Sequence, residues 1–134
     1  MSMVKTAFSF LLALTLFICW TASPGHGQGG ALDGKTFSGE FGKVSKKKEG
    51  NDTFIFKDGR FRSMACDPYG FGDAPYTASV SGDVTTFEAQ TASPKEGTIQ
   101  WKGTVRGKAL EGTFSWTKPK KKKVVEYWFK AAQK

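Results

Sequence analysis

The strongest constraint on this chain is the set of residues that a single tight turn brings face to face. With Gly107-Lys108 as a two-residue loop, Val105 faces Leu110, Gly103 faces Gly112, Trp101 faces Phe114 and Ile99 faces Trp116. Six large apolar residues then share one side, while Thr104 with Glu111 and Lys102 with Thr113 share the other. A slip of one residue would turn the whole apolar set to solvent, so the register is strongly specified. The two glycines lie opposite each other inside the apolar face. They are read first as a bend in the sheet, and second as room for a side chain or ligand.

Two more turns pass the same test. Asp58-Gly59 suits the positive φ angles of a type I′ hairpin and sets Phe56 opposite Phe61 and Ile55 opposite Arg62. Gly82-Asp83 sets Val80 opposite Thr85 and Ala78 opposite Phe87. Beyond residue 30 the alternation of apolar and polar residues predicts eight strands: Lys35–Gly42, Asp52–Lys57, Arg60–Cys66, Tyr76–Ser81, Val84–Thr91, Thr98–Arg106, Ala109–Thr117 and Val124–Ala131. In an up-and-down meander the three tight turns fall at one end. The other end then carries four longer connections, Lys43–Asn51, Asp67–Pro75, Ala92–Gly97 and Lys118–Lys123. An all-β sheet with this many inward aromatics hides both edges best by closing into an antiparallel barrel, with an open curved sheet as the competitor.

In strand number, meander order and the strands Leu110-Glu111-Gly112-Thr113-Phe114-Ser115-Trp116 and Glu126-Tyr127-Trp128-Phe129, the chain resembles the calycin barrels, that is, lipocalins and similar small exported ligand binders. It also resembles small secreted bacterial proteins of uncharacterised function. The Gly-x-Trp opening of true lipocalins is absent from Leu32-Asp33-Gly34-Lys35-Thr36-Phe37, so the resemblance is one of architecture.

Residues 1–30 read as a cleaved signal peptide, and residues 31–134 as one β-barrel domain. Lys5 supplies the positive start, and Ala7 to Trp20 form an apolar stretch too short to span a bilayer. Small residues at Gly25-His26-Gly27 and Gly29-Gly30-Ala31 suit a signal peptidase. Bulky Phe17-Ile18 ahead of Cys19 argue against lipidation. Export to the periplasm or medium without a transmembrane anchor is therefore expected.

Removing that segment takes away the only histidine, His26, and leaves Cys66 alone, with no intramolecular disulfide. Without histidine, most nucleophile–base pairs, zinc sites and imidazole acid–base chemistry are disfavoured, so no enzyme and no cofactor are expected. The formal charge of +8 becomes +7, since losing Lys5 leaves 19 Lys and Arg against 12 Asp and Glu. A basic exported domain is drawn to anionic surfaces, unless the charge serves solubility alone.

Two lysine runs concentrate that charge. Lys43, Lys46, Lys47 and Lys48 lie in the first long connection, and Lys118, Lys120, Lys121, Lys122 and Lys123 in the last. Closure of the barrel would set them side by side as one anion-binding rim; the competing reading is two solvated hairpin tips. Nucleic acid is disfavoured, because the register turns most aromatics inward and leaves mainly Trp128 or its neighbours Tyr127 and Phe129 to face out.

The stretch Ala65–Tyr76 is the most unusual connection. Cys66 at the end of the third strand reads better as a small buried group than as a reactive thiol, since Asp67 beside it opposes a thiolate unless Arg62 and lysines offset it. Tyr69 and Phe71 are placed to fold over the barrel mouth as a lid. A glycosylation sequon at Asn51-Asp52-Thr53, a carboxylate dyad of Asp67 and Asp73, and a calcium site in the same loop are minor readings.

The leading functional expectation is a non-enzymatic binding protein for a small apolar or amphipathic, lipid-like ligand. Its cavity would be lined by Phe54, Phe56, Phe61, Phe87, Ile99, Trp101, Phe114 and Trp116 beneath Tyr69 and Phe71, with the rim (Lys46, Lys47, Lys48 and Lys120 to Lys123) favouring an anionic headgroup. The alternative is a packed barrel whose basic end docks on acidic envelope or polysaccharide surfaces. A thiol enzyme is third. Inner-face volume separates the first two, because a core filled by its own aromatics leaves no cavity.

Overall fold

The alternating pattern folds into eight antiparallel strands: β1 (Thr36–Lys43), β2 (Gly50–Lys57), β3 (Arg60–Ser63), β4 (Asp73–Ser81), β5 (Val84–Ser93), β6 (Gly97–Arg106), β7 (Ala109–Thr117) and β8 (Val124–Gln133). The computed structural model describes residues 30–120 and 123–134. The expected targeting segment, Gly30 excepted, and Lys121 and Lys122 of the expected rim lie outside the described residues. Each strand pairs with its chain neighbours, and β8 pairs with β1 from Phe37 opposite Gln133 to Lys43 opposite Tyr127. The meander thus closes into a calycin-like barrel with no free edge.

All three tight turns keep the expected register. Asp58 and Gly59 both take positive φ, 52° and 73°, as a type I′ turn requires. Gly82 and Gly107 carry positive φ at the first turn position, the II′ pattern that spares the residue after them.

The interior of the barrel is filled by its own rings. Phe54, Phe56, Phe61, Phe87 and Trp101 are at most 1% exposed and meet with centroids 4.9 to 6.2 Å apart. The buried Trp101 indole donates to Thr91 Oγ1 at 3.0 Å, so its polar edge is not orphaned. The glycine pair corrects the expectation of a simple bend. Phe87, Gly103, Gly112 and Phe129 stand in one row across β5 to β8. A Cβ on Gly112 would come within 2.7 Å of the Phe129 ring, and one on Gly103 within 2.5 Å of the Phe87 ring. The missing side chains make room for two phenyl rings.

The tight-turn end is capped by the residues before β1. Leu32 is buried there, and Tyr76 Oη accepts from the Gly30 and Leu32 amides at 3.0 Å each while donating to Asp33 at 2.7 Å. Asp33 in turn accepts from the Gly59 amide of the β2–β3 turn at 3.0 Å.

Three expected boundaries are corrected. β3 stops at Ser63 rather than Cys66, and Met64–Tyr69 forms a 3₁₀ helix, η1, ended by Gly70 in the left-handed region. The cause is Asp52 on β2. Its inward carboxylate takes the Ser63 hydroxyl and, at 2.9 Å, the Ala65 amide, which bends the chain off the ladder. β4 begins at Asp73, three residues earlier than expected. Pro75 is tolerated because it lies just outside the β4–β5 ladder, which starts at Tyr76 opposite Ala89, and Asp73 pairs with Arg60 at 2.9 Å. Finally, β5 and β6 pair out to Ser93 and Gly97, so only Pro94, Lys95 and Glu96 connect them. Gly97, at φ 98°, supplies the backbone reversal for this connection, which is much shorter than the expected loop.

Candidate functional site

The loop end of the barrel holds a cavity of about 240 Å³. Phe41 closes it from β1, Ile99 from β6, Phe114 and Trp116 from β7, and Tyr127 from β8. These are inward positions towards the loop ends of their strands, so the same alternation that fills the core continues into an aromatic collar. Tyr69, in η1, and Phe71, just beyond it, lean over the collar: Phe71 is 5% exposed and meets Trp116 edge-on at 6.2 Å, whereas Tyr69 is 55% exposed. Phe114 and Tyr127 stack at 4.6 Å and 7°. Trp116 donates from Nε1 to the Glu96 carbonyl at 2.6 Å, which holds the indole in place.

Of the expected ligand-lining residues, the fold divides the list in two. Phe54, Phe56, Phe61, Phe87 and Trp101 pack in the core below the cavity. Ile99, Phe114, Trp116, Tyr69 and Phe71 reach its surface. Phe41, Tyr127, Glu49 and Asp52 line it as well and were not expected there. Parity alone was enough to place three of them, since Phe41 alternates with Phe37, Asp52 with Phe54 and Phe56, and Tyr127 with Phe129.

Asp52 and Cys66 form the polar floor. Asp52 accepts from Ser63 Oγ, from the Ala65 amide and, at 2.7 Å, from the Thr53 amide. Burial still pushes its carboxyl above the ordinary value, against the opposing pull of those hydrogen bonds. Cys66, half-buried within η1 and not at the end of β3, lies 3.3 Å from Ser63 Oγ. Burial, with smaller contributions from Asp52 and Asp67, pushes its thiol up to about 11. Arg62 does not offset this. Its guanidinium is engaged with the Asp67 carboxylate at 2.9 Å. Burial, then Glu49, raises the Tyr127 phenol likewise. Asp67 and Asp73 are held by different arginines, Arg62 and Arg60, so the minor dyad reading has no shared site to stand on.

The lysine runs do come together, because β1 and β8 are neighbours and the Val44 amide donates to the Glu126 carbonyl at 3.0 Å. Lys43, Lys46, Lys118 and Lys123 line a second depression of about 540 Å³ beside the mouth, with Glu126 among them. Lys48 instead reaches Glu40 at 3.5 Å, and Lys118 Nζ lies 4.4 Å from the centroid of the Trp116 ring. Trp128, the outward aromatic of β8, lies against Gly42 and donates to the Lys46 carbonyl at 3.1 Å, which ties the first lysine loop to the wall. A broader groove of about 720 Å³ along Ser38, Asn51, Thr53, Met64 and Lys130 is open to solvent. Comparison with protein-family models, with curated proteins and with solved structures finds no match to this chain.

Proposed function

We propose that the protein is an exported, non-catalytic binding module that takes a compact, partly apolar ligand at the mouth of its barrel. The observation that carries this reading is the aromatic cavity at the loop end, above a core that has no room of its own. A water occupies about 30 Å³ in the liquid. The cavity therefore corresponds to about eight waters, and suits a ring-sized or short branched molecule better than a lipid chain. The thiol beside it is held protonated, which is the opposite of what a cysteine nucleophile needs.

Titrating benzyl alcohol and indole into the purified protein, with tryptophan fluorescence as the readout, tests the site. Both should bind, and Ala65→Phe, which fills the cavity from η1, should abolish binding while leaving the circular dichroism unchanged. Binding that survives the filled cavity would place the site elsewhere. A second reading, docking of the basic end on an anionic surface, is favoured by the four lysines that line one depression.

A further inference from the structure

We infer that the mouth cavity prefers a small organic cation of the methylated-ammonium type over a neutral or anionic molecule of the same shape. This rests on the reading of the cavity as a ligand site. Six aromatic side chains surround the space: Phe41, Tyr69, Phe71, Phe114, Trp116 and Tyr127. Among the described residues its charged lining is limited to Glu49 and Asp52, and neither lysine nor arginine contributes to it. The face of an aromatic ring is its negative pole, so rings set at different angles around a small space make a box for a cation. Here the ring planes do differ. Phe41 meets Tyr127 at 60°, and Phe71 meets Trp116 at 83°.

Two further observations support the sign of the charge. Trp116 already holds an ammonium, that of Lys118, well inside the roughly 6 Å reach of such contacts. Among the described residues, Lys43, Lys46 and Lys123 line the neighbouring depression and not the cavity. Glu49, exposed on the lip, is placed to give a bound cation its counter-charge.

Three molecules of one shape separate the possibilities: choline, its uncharged carbon isostere dimethylbutanol, and the matching anion dimethylbutanoate. Titrated into the purified protein and followed by tryptophan fluorescence and methyl proton shifts, choline should bind about tenfold tighter than the alcohol, with the anion weakest. Trp116→Leu keeps apolar bulk and removes the π face. It should weaken choline about tenfold and the alcohol little. Glu49→Gln, on the exposed lip where folding is not at risk, should weaken choline alone by a few-fold. An alcohol that binds as tightly as choline overturns the cation preference and leaves the cavity reading standing. If neither choline, the alcohol nor indole binds, both readings fall.

Discussion

At the scale of single residues, the two polar groups under the mouth behave unlike surface carboxylates and thiols. Cys66 stays protonated in the folded chain at a pH where an unfolded chain would ionise it. It therefore adds stability that is complete below about pH 8.5 and is lost as the pH rises from there through about 11. Asp52 has the same sign in a lower window. Its contribution is greatest below its ordinary value of 3.8 and falls as the pH rises through the range where the unfolded carboxylate ionises. Alkylation by iodoacetamide, followed from pH 8 to 12, should accelerate towards a midpoint near 11. A midpoint near the unperturbed value of about 8.5 would show that the thiol is not desolvated. Asp52 also explains why the chain leaves β3 at Ser63, since one buried carboxylate collects three donors there.

At the scale of elements, the β5–β8 wall depends on the row Phe87, Gly103, Gly112, Phe129. A Cβ at Gly112 would lie 2.1 Å from the Lys102 carbonyl and 2.6 Å from the Gly103 Cα, both backbone atoms that cannot swing aside. Gly112→Ala should cost about 3 kcal/mol in urea unfolding. Gly82 gives the contrast: nothing lies within 4 Å of its added Cβ, and only its φ of 61° resists a side chain. Gly82→Ala should cost about 1 kcal/mol. Similar losses at the two sites would mean that the glycine row is not holding the rings. The narrowest ladder is β3–β4, with three paired positions, Arg60 to Pro75, Phe61 to Ala74 and Arg62 to Asp73. The chain departs from this seam into η1, so the element that covers the mouth hangs from the shortest pairing in the barrel.

At the scale of the whole molecule, charge is divided by location. The aromatic cavity carries carboxylates, and the lysines stand beside it in a separate depression. Binding of a polyanion at that depression should be electrostatic and so fall steeply with salt. Heparin should retain the protein at low ionic strength, and replacing Lys43, Lys46, Lys118 and Lys123 together by glutamine should shift elution to clearly lower salt. Unchanged elution would place the anion-binding surface elsewhere. Replacing only Lys43, Lys46 and Lys123, which leaves Lys118 on the Trp116 ring, should leave the benzyl alcohol titration unaltered.

Architecture was legible because it rests on local rules. Two-residue turns of Asp-Gly and Gly-x fix hairpin register, and register fixes which residues share a face. That is enough to bring Val105 to Leu110 and Trp101 to Phe114, and counting turns is enough to divide the barrel into a tight end and an open one. Asp52 and Phe41 were legible by the same parity, though their chemistry was not. What alternation cannot decide is volume. It assigns Phe54, Phe56, Phe61, Phe87 and Trp101 to the inside without saying whether they enclose a space or fill it. Only the closed barrel, with its rings in contact and two glycines vacated for Phe87 and Phe129, settles that the interior is solid. Nor does pattern show where a ladder yields to a competing hydrogen bond, as β3 does when Asp52 draws Ser63 and the Ala65 amide away. Turn chemistry is read between neighbours in the chain, whereas cavity shape and the sign of its charge arise between residues as distant as Phe41, Trp116 and Tyr127.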